Sequence, residues 1–275
     1  MKKILLKTER LSKSFSSGGV MQHVLKNIDL ELYEGDFTVI MGASGAGKST
    51  LLYALSGMDT PTLGDITFGN TLISGLNQDE LAVFRRDHCG FVFQQIYLID
   101  GMSVMDNVLS AGLLVNRRPH GSRQADMQRR PLGPLFRGNK DKKALLSRAR
   151  ELFAAVGLSE ETQKKFPTQI SGGEAQRAGI VRALINHPDI LFADEPTGAL
   201  NSKTGLDVLN TLTRFNSQGQ SVVMVTHDMR SARRGNRILY LKDGAILGEC
   251  SLGGYVHGDT ARHQKLSAFL TEMRW

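Results

Sequence analysis

Long apolar stretches are absent from this sequence of 275 residues. No run of residues approaches the ~20 apolar positions that a helix needs to cross a bilayer. The first six residues resemble the start of a signal peptide, but Lys7, Glu9 and Arg10 end the apolar run after three residues. We therefore expect a cytoplasmic protein rather than an integral membrane or secreted one.

Cysteine is scarce, with Cys89 and Cys250 as the two examples. These residues are far apart in the chain and lack the close spacing of metal-binding cysteines. A disulfide is not expected in the cytoplasm. The sequence therefore predicts two ordinary thiols, buried or half buried.

Acidic residues are few in the segment 116–143, where basic residues strongly outnumber them. The formal net charge is +7, and residues 116–143 contain six Arg and three Lys against two Asp. The remainder of the chain is therefore close to neutral. The same segment is rich in proline and glycine, which predicts a surface loop.

Several interpretations of this basic loop, residues 116–143, stay open. It is either a solvated insertion or a surface that contacts anionic lipid headgroups or an acidic partner. Nucleic acid is the least favoured partner, because no aromatic residues interleave the basic ones to stack on bases.

A glycine-rich stretch matches the G-x-x-x-x-G-K-[ST] pattern of a phosphate-binding loop. The stretch consists of Gly42, Ala43, Ser44, Gly45, Ala46, Gly47, Lys48, Ser49 and Thr50. An apolar run at 36–41 predicts a buried strand before it, and residues 49–55 predict a helix after it.

A strand, a glycine loop and a helix N-terminus together form an anion site, because backbone N–H groups and the helix dipole point the same way. Here Lys48 would reach the β- and γ-phosphates and the Ser49 hydroxyl would ligate Mg²⁺. A glycine-rich turn that matches by accident is the alternative. The loop alone indicates a nucleoside triphosphate and not what its energy is used for.

Alternating apolar and polar residues predict β-structure at 2–33, with a turn at 16–19. Short strands are predicted at 65–68 and 71–73, and a capped helix from 77 to about 88. Further strands are predicted at 90–93, 190–193, 222–225, 237–242 and 245–249. Further helices are predicted at 106–115, 142–156, 171–186, 202–215 and 260–273. This alternation indicates an α/β fold with a mainly parallel sheet covered on both faces.

Ligands of such sheets bind at the carboxyl ends of the strands. Gln94, Asp194, Glu195 and His227 each follow or end a predicted strand, as the phosphate loop does. We therefore expect separate parts of the chain to converge on one site.

Each of these side chains has a chemical role that fits such a site. Asp194 is suited to hold Mg²⁺ or its water shell, and Glu195 to accept a proton from an attacking water. His227 would touch a γ-phosphate, and a buried core histidine is its alternative. Ser171, Gly172, Gly173 and Glu174 open a helix and offer a second anion site.

With these motifs in this order, the chain resembles the ATP-binding subunit of an ATP-binding cassette (ABC) transporter over nearly its full length. Ser171-Gly172-Gly173-Glu174 matches the family signature, with Glu174 where glutamine is usual. Gln94 matches the glutamine loop, which touches Mg²⁺ and the membrane subunit. Phe15 matches the position of an adenine-stacking tyrosine, and Asn201 stands where aspartate is frequent.

The resemblance implies a P-loop (RecA-like) core, an N-terminal antiparallel β subdomain and an inserted α-helical subdomain. The core would comprise residues 1–95 and 176–275, and the helical subdomain residues 96–175 with the basic loop. The implied catalytic residues are Lys48, Gln94, Glu195 and His227. The implied Mg²⁺ ligands are Ser49, Gln94 and Asp194, with ATP as the nucleotide.

The implied partners are a second copy, bound head to tail, and a membrane permease. The permease would dock at Gln94 and at residues 96–99, on the cytoplasmic face of the plasma membrane. Gly90–Gln95 and residues 193–200 are similar to the macrolide-export and lipoprotein-release group. The C-terminal part is similar to its antimicrobial-peptide, bacitracin-resistance branch, so the cargo would be an antimicrobial peptide, lipopeptide or lipoprotein.

Two other functions use similar motifs. One is a regulatory module that uses ATP to signal, or to drive a periplasmic process, without moving a substrate. The other is a soluble ABC protein of translation or DNA repair, but these usually carry two cassettes or a long insertion.

Overall fold

A computed structural model describes residues 2–113 and 139–275. Most of the basic loop, residues 116–138, lies outside the described residues, so the expectations for it stay predictions. Within the described ranges, no helix combines the length and the apolar character needed to cross a membrane.

The strands form two sheets. The first is antiparallel with the order β2-β1-β4-β5, and the second has the order β10-β9-β3-β8-β7-β6. In the second sheet β9, β3, β8, β7 and β6 run parallel, and β10 pairs antiparallel with β9. The strands are β1 (Ile4–Ser17), β2 (Val20–Tyr33), β3 (Phe37–Met41), β4 (Leu63–Phe68), β5 (Thr71–Leu72), β6 (Cys89–Phe93), β7 (Ile190–Asp194), β8 (Ser221–Thr226), β9 (Arg237–Lys242) and β10 (Ala245–Ser251).

Helices cover the second sheet and connect its strands. They are α1 (Lys48–Leu55), α2 (Gln78–His88), α3 (Val104–Leu113), α4 (Asn139–Ala155), α5 (Glu160–Lys164), α6 (Gly172–Leu184), α7 (Ser202–Ser217), α8 (Met229–Ala232) and α9 (Thr260–Glu272). Two 3₁₀ turns lie at Ile73–Gly75 and Pro167–Gln169. Helix α3 packs against α4, α5 and α6, which gathers helices at one side of the sheet.

The parallel strands are buried on both faces, which explains their continuous apolar sequence. Alternate residues of β3 enter different cores, with Val39 in one and Ile40 in the other. The first core includes Phe153 of α4 and Leu212 of α7, and the second includes Leu51 of α1. The sheet is therefore the middle layer between helices on one side and α1 with the antiparallel sheet on the other.

The expected α/β architecture is confirmed, and its strands fall within one to two residues of the predicted bounds. One strand assignment is wrong, because Ile73 is buried in a 3₁₀ turn rather than in β5. Helices α5 and α8 were not predicted, since segments of five and four residues carry almost no periodicity. Cys89 and Cys250 are free and buried, as expected.

Candidate functional site

Four parallel strands end in one row at the same edge of the second sheet. The register pairs Met41 with Thr226 and Phe93 with Asp194, the last residues of their strands. Asp194 also pairs with Val225, one residue before the end of β8. The next residues along the chain are Gly42, His227, Glu195 and Gln94. The expected convergence of separate motifs on this edge is therefore present in the structure.

The phosphate loop turns from β3 into α1 through two left-handed glycines, Gly45 with φ of 80° and Gly47 with φ of 97°. Gly47 is the N-cap of α1, and no side chain caps the helix there. The Lys48 ammonium group donates hydrogen bonds of 2.9 Å to the carbonyl oxygens of both Gly42 and Ala43. The amides at the start of α1 are thus left for an anion, and the cation next to them is buried.

The β1–β2 hairpin lies against this loop. A methyl group at Gly47 would lie 3.0 Å from the Val24 carbonyl oxygen. Phe15, on the same hairpin, keeps 44% of its surface exposed, and the Lys13 ammonium lies 5.0 Å from its ring centroid. Phe15 is therefore partly exposed on the hairpin that packs against the loop, and an accessible ring face is what base stacking requires.

The carboxylate of Asp194 accepts hydrogen bonds from two hydroxyl groups of α1. Ser49 Oγ donates to Oδ1 at 3.0 Å, and the Tyr53 hydroxyl donates to Oδ2 at 2.8 Å. Burial, and then the hydrogen bond to Asp194, raise the pKa of Tyr53 to about 12. Tyr53 therefore stays a proton donor toward this carboxylate.

These oxygen atoms suit Mg²⁺, a hard cation that binds through one or two protein oxygens with water and substrate phosphates completing the shell. The hydroxyl of Ser49 and the carboxylate of Asp194 are already in contact. Within residues 2–113 and 139–275, no group of three or more His, Cys, Asp or Glu side chains forms a larger metal cage. The donor set thus fits a metal that is shared with a phosphate ligand.

Glu195 is held by residues at the end of the next strand. His227 Nδ1 lies 2.8 Å from Oε1, and the Thr226 hydroxyl donates to Oε2 at 3.3 Å. The φ of Glu195 is 44°, a left-handed conformation that favours glycine. Its amide donates to the Val225 carbonyl and its own carbonyl accepts from the Gly198 amide, which fix this conformation.

His227 is not a buried core histidine, because 67% of its side chain is exposed while 17% of the Glu195 side chain is. Gln94 is also exposed, at the end of β6. A methyl group at Gly198 would lie 2.9 Å from Gln94 Nε2, so the Gln94 side chain lies over the turn that follows Glu195.

The signature residues form a separate group. Ser171 is the N-cap of α6, and its hydroxyl accepts a hydrogen bond from the Glu174 amide. In return, Glu174 Oε2 accepts hydrogen bonds from the Ser171 amide at 2.9 Å and from the Ser171 hydroxyl at 2.7 Å. These hydrogen bonds lower the pKa of the Glu174 carboxyl, the backbone one most strongly. Glu174 is thus committed to its own helix cap, and its direct contact with nucleotide stays a prediction.

The signature lies beside the loop that follows Glu195. A methyl group at Gly172 would lie 3.5 Å from Leu200, and one at Gly173 would lie 3.0 Å from Thr204. Asn201 is the N-cap of α7 and accepts from the Thr204 amide at 3.0 Å. Asparagine and aspartate cap equally well, so the departure at Asn201 leaves this local structure intact.

Two side chains of this region were missed by sequence reasoning. Tyr53 contacts Asp194 from α1, and Lys13 lies over the ring of Phe15. A signal for Tyr53 was present, because it follows Ser49 by four positions and so shares its helix face. Lys13 gave no such signal, since its carboxylate partner Asp59 is 46 positions away.

A cleft of about 1180 Å³ opens at the opposite edge of the sheet. Its lining includes Leu5, Phe84, His88 and Ser221, and none of the predicted nucleotide-binding residues.

Comparison with known proteins agrees with this geometry. The ABC transporter family model matches residues 25–198. The uncharacterized ABC transporter ATP-binding protein MJ0796 of Methanocaldococcus jannaschii is 39% identical over 252 residues, which cover 91% of this chain and 99% of that protein. The macrolide export ATP-binding/permease protein MacB of Wolinella succinogenes is 37% identical over 90% of this chain. The chain spans only 34% of MacB.

Among solved structures, a dimeric MJ0796 in a post-hydrolysis state, bound to ADP and Pi, is similar with a TM-score of 0.77 and 38% identity. The match covers 91% of this chain and 100% of that one. A second dimeric structure of MJ0796 has a TM-score of 0.75. The chain therefore belongs to the ABC transporter family and is one of its ATP-hydrolysing cassettes.

Proposed function

We propose that this chain powers a membrane permease, and that each ATP is hydrolysed with Mg²⁺ between two copies of the chain. The observation that carries the proposal is the row of strand ends from which Gly42, Glu195 and His227 leave the sheet together. One edge thereby combines a phosphate cradle, a metal-binding carboxylate and a general base. Phosphoryl transfer to water requires these three parts.

Lys48, Ser49 and Asp194 are assigned to the phosphates and the metal. Lys48 now donates to two loop carbonyls, and its ammonium group can exchange them for β- and γ-phosphate oxygens. Ser49, Asp194 and Gln94 would hold Mg²⁺, which when bound neutralises charge on the transferred phosphoryl group. The 3.0 Å contact between Ser49 and Asp194 supports the first two of these ligands.

Glu195 is assigned as the general base and His227 as its partner. A proton of the attacking water would pass to Glu195 while the water oxygen attacks the γ-phosphorus. The bond from that phosphorus to the bridging oxygen would break, and ADP would leave with the bond's electron pair. His227 fixes the carboxylate at 2.8 Å and is exposed enough to reach the γ-phosphate. Phe15 would stack on the adenine, which leaves the triphosphate to extend along the loop.

The second copy completes each site. One chain offers cationic and N–H donors on one side of the γ-phosphate, and charge neutralisation on both sides needs another chain. Ser171, Gly172 and Gly173 at the N-terminus of α6 are assigned to the partner's nucleotide. The dimeric MJ0796 structures support this arrangement. We further propose the division into a core of residues 1–95 and 176–275 and a helical subdomain of residues 96–175.

The permease and its cargo are proposed from the relatives of this chain. MacB is described as an ATP-binding/permease protein and MJ0796 as an ATP-binding protein, so relatives of this cassette occur with and without a permease in the same chain. We propose a permease on another chain, at the cytoplasmic face of the plasma membrane. Its cargo would be an antimicrobial peptide, a lipopeptide or a lipoprotein.

A Glu195→Gln variant tests the central assignment. It should bind ATP as tightly as the wild type, lose turnover by about 100-fold or more, and elute as a dimer when ATP is present. Lys48→Ala should instead lose ATP binding. Glu34→Gln is the matched control, because Glu34 pairs with Lys3 away from the strand ends that carry the site.

Two results would contradict the proposal. Turnover at the wild-type rate in the Glu195→Gln variant would remove Glu195 as the base. An ATP-bound variant that stays monomeric would remove the shared site.

A further inference from the structure

Helix α1 presents two hydroxyl groups to a single carboxylate. Ser49 and Tyr53 are four positions apart, so they lie on the same helix face one turn from each other. The first donates to Oδ1 of Asp194 at 3.0 Å, and the second donates to Oδ2 at 2.8 Å. Both oxygen atoms of Asp194 are thus held by one rigid element.

The two contacts differ in what a bound metal would require of them. Mg²⁺ would take a lone pair of the Ser49 hydroxyl, and Oδ1 of Asp194 would serve the ion or its water shell. The Tyr53 contact is on the other oxygen, Oδ2, and would be left unchanged. In the described part of the chain, these two contacts are the hydrogen bonds to the Asp194 side chain.

Tyr53 is well fixed for this task. Its carbonyl oxygen accepts from the Met58 and Asp59 amides at 2.9 and 3.1 Å. Leu51, Leu52 and Leu55 on the same helix are fully buried. The phenol is therefore attached to a helix that cannot shift without disturbing the core.

We infer that Tyr53 is a positioning residue for the metal site: its hydroxyl holds Oδ2 of Asp194 so that Oδ1 stays directed at the Ser49 hydroxyl. This inference rests on the proposed function, in which Ser49 and Asp194 hold Mg²⁺. Partners of this kind orient a ligand without touching the ion, and their loss weakens metal binding.

The Tyr53→Phe variant isolates the effect, because it keeps the ring and removes only the hydroxyl group. The matched control is Tyr33→Phe, which removes a Tyr–carboxylate hydrogen bond of the same length, 2.8 Å, from Tyr33 to Glu31. Tyr33 ends β2 and pairs with Ile4, away from α1 and Asp194. A general effect of losing one phenol hydroxyl would appear in both variants.

Metal binding is measured with Mn²⁺ as a paramagnetic replacement for Mg²⁺. Mn²⁺ is titrated into the full chain with the non-hydrolysable nucleotide AMP-PNP, the chain being in excess so that nearly all nucleotide is bound. Free Mn²⁺ is read by electron paramagnetic resonance. The dissociation constant of Mn²⁺ should rise about tenfold in Tyr53→Phe and stay unchanged in Tyr33→Phe.

Two further measurements separate positioning from a structural role. AMP-PNP affinity in EDTA should agree within twofold between Tyr53→Phe and the wild type. The Mg²⁺ concentration for half-maximal ATPase activity should rise, while kcat at saturating Mg²⁺ returns to near the wild-type value. A packing defect would instead lower kcat at every Mg²⁺ concentration.

Each outcome has a distinct meaning. Equal Mn²⁺ affinity in the wild type and Tyr53→Phe would overturn the role of Tyr53 and leave the proposed metal site intact. Tighter Mn²⁺ binding in Tyr53→Phe would overturn it as well. A wild-type chain without a nucleotide-dependent Mn²⁺ site would overturn the proposed metal assignment itself.

Discussion

His227 Nδ1 lies 2.8 Å from Oε1 of Glu195, and this contact joins the ends of two neighbouring strands. The Thr226 hydroxyl binds the other carboxylate oxygen at 3.3 Å. The carboxylate of Glu195 is therefore oriented by Thr226 at the end of β8 and by His227 just after it, although Glu195 follows β7. A base held in this way loses its direction when the histidine is removed.

The His227→Ala variant should lower turnover by about 100-fold, since general-base catalysis depends on the geometry of proton transfer. ATP affinity should fall much less than turnover, because one contact to the γ-phosphate is lost while the phosphate loop and Asp194 are untouched. Steady-state hydrolysis and calorimetric ATP binding measure the two effects. His257→Ala, at an exposed loop position, is the control. Wild-type turnover in His227→Ala would refute the role of His227.

The Gly42→Ala variant tests how closely the phosphate loop is packed. The added methyl group would overlap the carbonyl oxygen of Leu241 in β9. Relief of this overlap moves the loop and with it the Gly42 carbonyl that binds Lys48. We expect ATP affinity to fall at least tenfold and the free energy of unfolding to fall by about 1–3 kcal/mol.

Gly254→Ala is the matched control for that variant. Its methyl group would meet no atom within 4 Å and its φ is not left-handed, so binding and stability should stay unchanged. Thermal unfolding and calorimetric ATP binding are measured on both variants. A Gly42→Ala chain with normal ATP affinity would show that the close approach to Leu241 is unimportant.

The features near the strand ends that sequence predicts are local structures, set by residues close together in the chain, and the catalytic roles of these residues stay predictions. Gly42 to Lys48 carry their own loop geometry, and Asp194 and Glu195 end an apolar strand whose neighbours follow from the α/β pattern. The N-cap at Asn77 was likewise predictable, because its capping box is completed three residues later by Glu80. Such features need no knowledge of distant contacts.

The parts that sequence does not predict depend on contacts between distant segments. The spacing of Tyr53 places it on the helix face of Ser49, but its partner Asp194 is 141 positions away and contacts it only in the folded chain. Lys13 reads as a surface residue of a strand, yet it is buried against Asp59. Patterns of apolar residues specify which face is buried and not which polar atom lies opposite.

Phe15 is expected to bind the adenine ring. The Phe15→Ala variant should weaken ATP affinity by about tenfold, because stacking of a base on an aromatic ring contributes about 1–3 kcal/mol. Phe15→Tyr should keep the affinity, since it keeps the π-face. Calorimetric titration with ATP and with inorganic triphosphate separates base from phosphate contacts, and triphosphate binding should be equal in all three chains.

Phe166→Ala is the matched control for Phe15→Ala, since both rings are 44% exposed. Phe166 lies between α5 and a 3₁₀ turn, away from the β1–β2 hairpin.

The Lys13→Met variant tests the contact between Lys13 and the Phe15 ring. Its ammonium lies 2.6 Å from Asp59 Oδ1 and 2.7 Å from the Thr60 carbonyl oxygen, so loss of the charge should loosen Phe15 and weaken ATP binding by less than Phe15→Ala does. Equal ATP affinity in Phe15→Ala and the wild type would exclude stacking at this residue.

The segment after Gln94 is expected to meet the permease. Tyr97 is 63% exposed and packs edge-to-face on Phe93, with ring centroids 5.5 Å apart. The Arg182 guanidinium group of α6 donates hydrogen bonds to the carbonyl oxygens of Ile96 and Tyr97. The backbone is therefore fixed while the side chains of Tyr97 and Ile99 face solvent.

The Tyr97→Glu variant should remove the stimulation of ATPase activity by the membrane protein that co-purifies with the wild-type chain, because a carboxylate at an apolar contact must lose its hydration. Basal ATPase activity should stay within twofold, since Tyr97 takes no part in the hydrogen bonds that orient the carboxylates of Asp194 and Glu195. Leu72→Glu, at a 48% exposed position on β5, is the control and should keep full stimulation. Equal stimulation of Tyr97→Glu and the wild type would mean that the permease docks elsewhere.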